Sequence, residues 1–315
     1  MSTSKPDELN DEAAFFDQLI TNRQAGGTIP LEADHRRATK YVPKPGEPGR
    51  EIIDPALYRI VEGRISDDLI QRVVYQGGNV LDICCGPGWL SLELARNGVD
   101  VCGCDISPRA IETARRMASE NPYRDNLGQL EYRCQDVNEI DLTKATYSTI
   151  IGYSAFHHVY DFDRFLEKCH RALQPRGLMV TFDDIGYGRA DKLMKNLFLF
   201  VLPTFDMTYR QKIRRLVAFL FAGAPVSREI FSPMEIFASK HDVASDKIVE
   251  FWTRRLRPEK ILYFGAFSVR VCNSLRGPDW FRYTAARVLT ALDRLLISCG
   301  ICRGYYRVMF ARKRE

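Results

Sequence analysis

Between residues 51 and 186, short apolar runs alternate with segments whose apolar positions recur at helical spacing. The runs are 79–85 (NVLDICC), 99–104 (VDVCGC), 129–134 (QLEYRC), 147–153 (YSTIIGY) and 177–183 (GLMVTFD). Helical segments near 88–97, 107–120 and 161–173 separate them. Strands spaced by helices of this length predict βαβ units and a largely parallel sheet with helices on both faces. Ligands of such sheets sit beyond the carboxyl ends of the strands, where the strand order reverses. That rule directs attention to the turns after 85, 105, 134, 153 and 183.

The flanks read differently. Residues 1–50 hold a short helical stretch near 13–20. A Gly-, Pro- and charge-rich segment from 26 to 50 then reads as an irregular arm or lid. From 187 to 315 apolar and basic residues mix more densely. Segments 193–202, 212–223 and 287–298 have helical spacing, while 261–271 and 305–311 read as strands. The expected division is therefore an arm at 1–50, a ligand-binding core at 51–186, and a basic region at 187–315. That last region is expected to finish the sheet and cover the site with helices.

Charge sharpens this division. Up to residue 185 there are 21 Lys and Arg against 29 Asp and Glu; from 186 onward there are 24 against 11. A net charge of +5 therefore hides an acidic front and a basic back. The basic clusters Arg210, Lys212, Arg214, Arg215 and Arg254, Arg255, Arg257, Lys260 suit contact with an anionic membrane surface or an acceptor with a lipid tail or phosphate. A nucleic-acid partner is the less favoured reading, because no RNA-binding module is evident, and a solvated face without any partner stays open. The acidic N-terminus lacks a secretory signal, and no apolar run is long enough to span a bilayer, so a cytoplasmic protein, at most peripheral to a membrane, is expected. Nine cysteines, an odd number set mostly in apolar runs, point to reduced buried thiols; Cys299 of the pair Cys299–Cys302 is expected on the buried face of its helix.

The chemistry concentrates at the first strand-to-helix turn. There Asp82-Ile83-Cys84-Cys85-Gly86-Pro87-Gly88-Trp89 carries a buried strand through two glycines into a helix. Gly86 and Gly88 permit a tight turn and close approach of a ligand to the backbone. Asp105, at the end of the second run, is placed to accept both hydroxyls of a ribose. The spacing alone fits a dinucleotide or S-adenosylmethionine. Ser91 stands where a dinucleotide turn has its third glycine, which disfavours an NAD enzyme.

Five segments in order resemble the motifs of class I S-adenosylmethionine-dependent methyltransferases. They are the Asp82–Gly88 turn, Asp105-Ile106, Gln135-Asp136-Val137, Gly152-Tyr153-Ser154-Ala155-Phe156-His157-His158, and Leu173-Gln174-Pro175-Arg176-Gly177. The resemblance is strongest to the small-molecule branch that includes quinone and sugar methyltransferases. Ile83-Cys84-Cys85, Trp89 and Arg176 depart from the usual pattern.

The resemblance implies a Rossmann-like α/β sheet, mostly parallel with an antiparallel last strand, and helical cover from the C-terminal region. It implies S-adenosylmethionine held by Asp82, Gly86, Pro87, Gly88, Asp105, Ile106, Asp136, Val137 and Tyr153, with no metal site. Methyl transfer rests mainly on positioning donor and acceptor. A hydroxyl acceptor also gains from a base, for which His157, His158 and Asp183 are candidates. Packing roles for the histidines compete with that reading. A small-molecule, lipid-linked or sugar acceptor with O-methylation is the favoured function. A nucleic-acid or protein methyltransferase, and a cofactor-binding protein without catalysis, are the alternatives.

Overall fold

The computed structural model describes residues 11–26, 32–41, 53–142, 146–159, 161–205, 207–214, 249–250 and 254–314. Seven strands form one sheet: β1 (Asn79–Ile83), β2 (Asp100–Asp105), β3 (Leu130–Cys134), β4 (Tyr147–Tyr153), β5 (Leu173–Asp184), β6 (Leu256–Phe264) and β7 (Tyr306–Lys313). Their order is β3-β2-β1-β4-β5-β7-β6, with β7 antiparallel to both of its neighbours and the β1–β5 pairings parallel. The chain leaves β1 toward β2 and β3, then returns to pair β4 on the other side of β1. The order therefore reverses between β1 and β4, and the ligand edge lies over their carboxyl ends.

Nine α-helices are used below. They are α1 (Glu12–Gly26), α2 (Pro55–Tyr58), α3 (Arg64–Gln76), α4 (Trp89–Arg96), α5 (Pro108–Ser119), α6 (Phe162–Ala172), α7 (Arg189–Val201), α8 (Ser268–Ser274) and α9 (Asp279–Ser298). A single π turn, Arg59–Gly63, joins α2 to α3 without a break in helical backbone. Side-chain caps fix several starts. Asp54 accepts the Leu57 N–H at 3.1 Å, and Ser107 accepts the Ala110 N–H at 3.0 Å.

Strand alternation sends Val80 to one face of the sheet and Leu81 and Ile83 to the other. The first face packs under α2, α3, α4, α8 and α9 through Leu57, Val61, Leu69, Leu90, Val271 and Leu289. The second packs under α6 through Phe165, Leu166 and Cys169.

Three stretches depart from the sequence expectation. The 261–271 run is not one strand: β6 ends at Phe264, Gly265 turns the chain with φ +70°, and α8 follows. The buried Asp293 carboxylate of α9 accepts the N–H groups of Gly265, Phe267 and Ser268, which fixes that turn. The continuous helical rod over 55–76 was not expected at all. Cys299 is exposed, because α9 ends at Ser298 and leaves it at the cap, while Cys302 is buried. Cys134, on edge strand β3, is exposed too. Of the segment 212–223, residues up to 214 continue a helical turn, and the remainder lies outside the described residues, as does Arg215.

Candidate active site

The turn after β1 carries three left-handed residues: Cys84 (φ 52°), Gly86 (φ 54°) and Gly88 (φ 89°). The two glycines serve different ends. A Cβ built on Gly86 meets nothing within 4 Å, so this position borders open space. A Cβ on Gly88 would stand 2.6 Å from Tyr132 Oη and 2.8 Å from Ala114 Cβ, so Gly88 exists to let α4 and β3 approach. The Tyr132 hydroxyl also donates to the Gly88 carbonyl at 3.0 Å. Beneath the turn, Asp82 is buried and accepts the Ser91 hydroxyl at 2.5 Å, which ties β1 to the first turn of α4. Burial raises the Asp82 carboxyl to about 7, against the Ser91 bond and with help from the Asp105 charge.

The open space is a cavity of roughly 130 Å³ that opens to solvent on one side. Gly86, Pro87, Asp105, Ile106, Asp136, Val137 and His158 all line it. At its floor, Asp105 Oδ2 accepts the Gly86 N–H at 2.8 Å and Oδ1 accepts the Ser107 N–H at 2.9 Å. Burial raises the Asp105 carboxyl, and those two backbone bonds work against the rise. A carboxylate has about four acceptor sites, so two remain for a diol. On the far wall, Asp136 Oδ1 accepts both the backbone and side-chain N–H groups of Asn138 at 2.9 Å.

Helix α1 roofs the cavity with Glu12, Phe16, Ile20 and Arg23. Among the contacts that hold it there are Glu12 to His158 Nδ1 at 3.2 Å, Asp17 to the Ser107 hydroxyl at 2.5 Å, and Asp17 to the Arg109 N–H at 3.1 Å. The sequence pointed to an arm but not to these roof residues; only the acidic, aromatic pattern of 11–17 hinted at them.

The other expected residues lie elsewhere. His157 does not line the cavity, and burial, with the neighbouring His158, drives its imidazole well below the usual range, so it stays neutral. Asp183 is buried and lies across from Arg307 of β7, 3.7 Å away. Burial raises the Asp183 carboxyl to about 6 against the pull of that guanidinium.

Tyr153 stacks on Phe182 at 3.9 Å and meets Trp89 edge-on at 5.3 Å. It belongs to a ring series that begins at Tyr58 and His35, passes through Trp89 and Tyr153, and ends at Phe182 and Tyr306. Burial lowers the His35 imidazole to about 4 within that series. Ser154 (φ 51°) joins the two regions: it lines the cavity, and its hydroxyl donates to Asp184 Oδ1 at 3.5 Å.

This sheet order, with the cavity at the β1–β4 reversal, defines the class I methyltransferase architecture. The family described as a methyltransferase domain matches residues 80–177. Ubiquinone biosynthesis O-methyltransferase of Cereibacter sphaeroides is 34% identical over 113 residues, 36% of this chain and 44% of that protein. The same-named protein of a Chelativorans species is 35% identical over 107 residues, 34% of this chain and 40% of that one. The chain thus spans less than half the length of these relatives.

Among solved structures, magnesium protoporphyrin IX methyltransferase from Synechocystis, with bound SAH, superposes with a TM-score of 0.51 at 14% identity over 96% of this chain and 97% of that one. The [4+2]-cyclase SpnF does so with a TM-score of 0.51 at 13% identity, covering 95% of each chain. These likenesses establish the fold. No helix among the described residues is long and apolar enough to cross a membrane.

Proposed function

We propose that the protein transfers a methyl group from S-adenosylmethionine to a hydroxyl of a small-molecule acceptor. The observation that carries this reading is the cavity itself. Six of the nine residues expected to hold the cofactor line one space, and Gly86 presents backbone to it where any side chain would intrude. The bound cofactor supplies an electrophilic methyl on a sulfonium. The residues present fit it: Asp105 would accept the ribose hydroxyls, Ile106 and Val137 would flank the adenine with Asp136 beside it, and the Gly86-Pro87 backbone would hold the methionine end. Helix α1 excludes water from above. The O-methyltransferase relatives support a hydroxyl as the accepting group.

An acceptor with an apolar tail accords with the outer face of α7, where Leu193, Leu197 and Val201 are exposed at helical spacing. Calorimetric titration with S-adenosylmethionine and with NADH tests the cofactor. Labelled-methyl transfer to lipid, glycan, RNA and protein fractions of a cell extract tests the acceptor class. Binding of NADH alone, or label confined to RNA or protein, would overturn the proposal.

A further inference from the structure

A second cavity, of roughly 490 Å³ and open to solvent, lies on the same edge of the sheet as the first, beyond the ends of β5 and β6. That volume falls within the ~300–1,000 Å³ of small-molecule sites. Three arginines from three elements line it: Arg189 opens α7, Arg303 lies in the connection from α9 to β7, and Arg307 comes from β7 itself. Strand register sets Arg307 between Asp183 of β5 and Tyr263 of β6. Arg307 is only 2% exposed, with the Asp183 carboxylate 3.7 Å away. Arg303 is braced twice: its guanidinium donates to the Ile185 carbonyl, and its backbone N–H donates to Asp191 Oδ1 at 2.9 Å. Arg189 is exposed and makes no hydrogen bond or ion pair among the described residues. Asp191 is the one carboxylate of the lining, and its Oδ2 accepts the Gly188 N–H at 2.8 Å, so both of its oxygens serve backbone. Cations therefore outnumber carboxylates three to one in the lining, and three to two with Asp183 counted. The remaining wall is largely apolar, from Ile185, Ala190, Ile297 and Ile301.

We propose that this cavity binds a phosphate group joined to an apolar body. A guanidinium meets phosphate oxygens with two parallel N–H donors, a match that favours phosphate over a simple point charge. Like charges gathered at one cavity repel, most strongly where water is thin, and a dianion placed among them turns that repulsion into attraction. The start of α7 adds the positive end of its dipole on the same side. A bare phosphate fills only part of the space, and the isoleucine wall takes the apolar body. The two cavities thus differ in sign. Glu12, Asp105 and Asp136 face the first, which suits a sulfonium, while the arginines face the second, which suits an anion. The site stands independently of the methyl-transfer reading.

The test is calorimetric titration of the full chain with phenyl phosphate, inorganic phosphate and phenol. Phenyl phosphate should bind about tenfold or more tightly than inorganic phosphate, which lacks the apolar body, and phenol should bind far more weakly still. Arg303→Gln should weaken phenyl phosphate by about tenfold or more, the usual worth of a charged hydrogen bond. Arg189→Gln should weaken it by about threefold, as befits an exposed cation. Arg210→Gln removes an exposed arginine outside the cavity and should leave the affinity at the wild-type value. Thermal denaturation of Arg189→Gln should match wild type, so that its lost affinity reads the cavity and not the fold. No binding of phenyl phosphate, phenol binding as tightly, or inorganic phosphate binding as tightly overturns the proposal. So does wild-type affinity in both cavity variants, or an equal loss in Arg210→Gln, which would mean diffuse surface charge. Sedimentation with phosphatidic acid vesicles and no affinity for phenyl phosphate would make the source a membrane and also overturn it.

Discussion

The two glycines of the β1–α4 turn should separate stability from ligand binding. Gly88→Ala puts a methyl 2.6 Å from Tyr132 Oη and 2.8 Å from Ala114 Cβ, at a φ of +89°. Tyr132 is buried and its hydroxyl is already committed to the Gly88 carbonyl, so it has little room to give. Overpacking costs about 1–3 kcal/mol. The left-handed backbone adds about 1–2 kcal/mol for a residue with a Cβ. Together they predict a loss of about 2–5 kcal/mol. At about 2 °C per kcal/mol for a domain this large, Tm should fall by roughly 4–10 °C.

Gly86→Ala meets nothing within 4 Å, so only the backbone contribution applies, and Tm should fall by about 2–4 °C. Its methyl instead stands in the cavity, and affinity for S-adenosylmethionine should drop by at least about tenfold, or ~1.4 kcal/mol. Thermal denaturation and calorimetric titration of both variants read the two effects. Gly88→Ala as stable as wild type, or Gly86→Ala with wild-type affinity, would refute the division of labour between the two positions.

Three further outcomes follow from the same geometry. Asp105→Asn should weaken S-adenosylmethionine binding by about tenfold or more, because a charge-assisted acceptor becomes a neutral amide; equal calorimetric affinity would mean the ribose does not lie there. Asp34→Ala removes the buried carboxylate 2.6 Å from Arg96 but leaves that guanidinium with Glu93 at 3.3 Å and the Asn121 amide oxygen at 2.8 Å, so it should cost about 3 kcal/mol in urea unfolding, the low end for a broken buried pair, with a loss under about 1 kcal/mol refuting the pair's role. Asp82 has its folded carboxyl raised to about 7 from a usual 3.8, so the folded state binds more protons between those values and Asp82 costs stability as pH rises across that window. Asp82→Asn should therefore gain stability relative to wild type between pH 4 and pH 7, and a pH-independent difference would show that Asp82 titrates normally.

The cofactor half of the site was legible because its residues are bound to strand ends. Once β1, β2 and the strand after 129 are placed by their apolar runs, Gly86, Asp105 and Asp136 fall at their carboxyl ends as a matter of topology. The helical rod over 55–76 was not legible, because it precedes the first strand and runs through a π turn that leaves no mark in an apolar pattern. Helix α1 is a similar case: its apolar residues roof a ligand cavity, so its pattern does not resemble that of a helix packed on a sheet. The 261–271 run misled for a third reason. A short apolar run fits a strand or a buried helix equally, and the residue that decides between them, Asp293, lies on a helix far along the chain.

The charge split takes on a different meaning in three dimensions. The basic residues after 186 invite an anionic partner when read in sequence, yet several meet carboxylates of the acidic half. Arg282 pairs with Asp54 at 2.8 Å, Lys260 with Asp68 at 2.9 Å, Arg255 with Glu167, and Arg307 with Asp183 at 3.7 Å. Lys212 turns inward and donates to the carbonyls of Leu199, Phe200 and Leu202, closing the C-terminus of α7. The Arg282–Asp54 pair is buried at the start of the rod over 55–76, and Asp54 is also that rod's cap. A buried pair of this kind adds little net stability but is costly to break, so it fixes register more than it strengthens the fold. Here the register it fixes is that of α9 against that rod. The basic half thereby holds the front helix in place, and Arg282, buried in that pair, is not available to an outside partner.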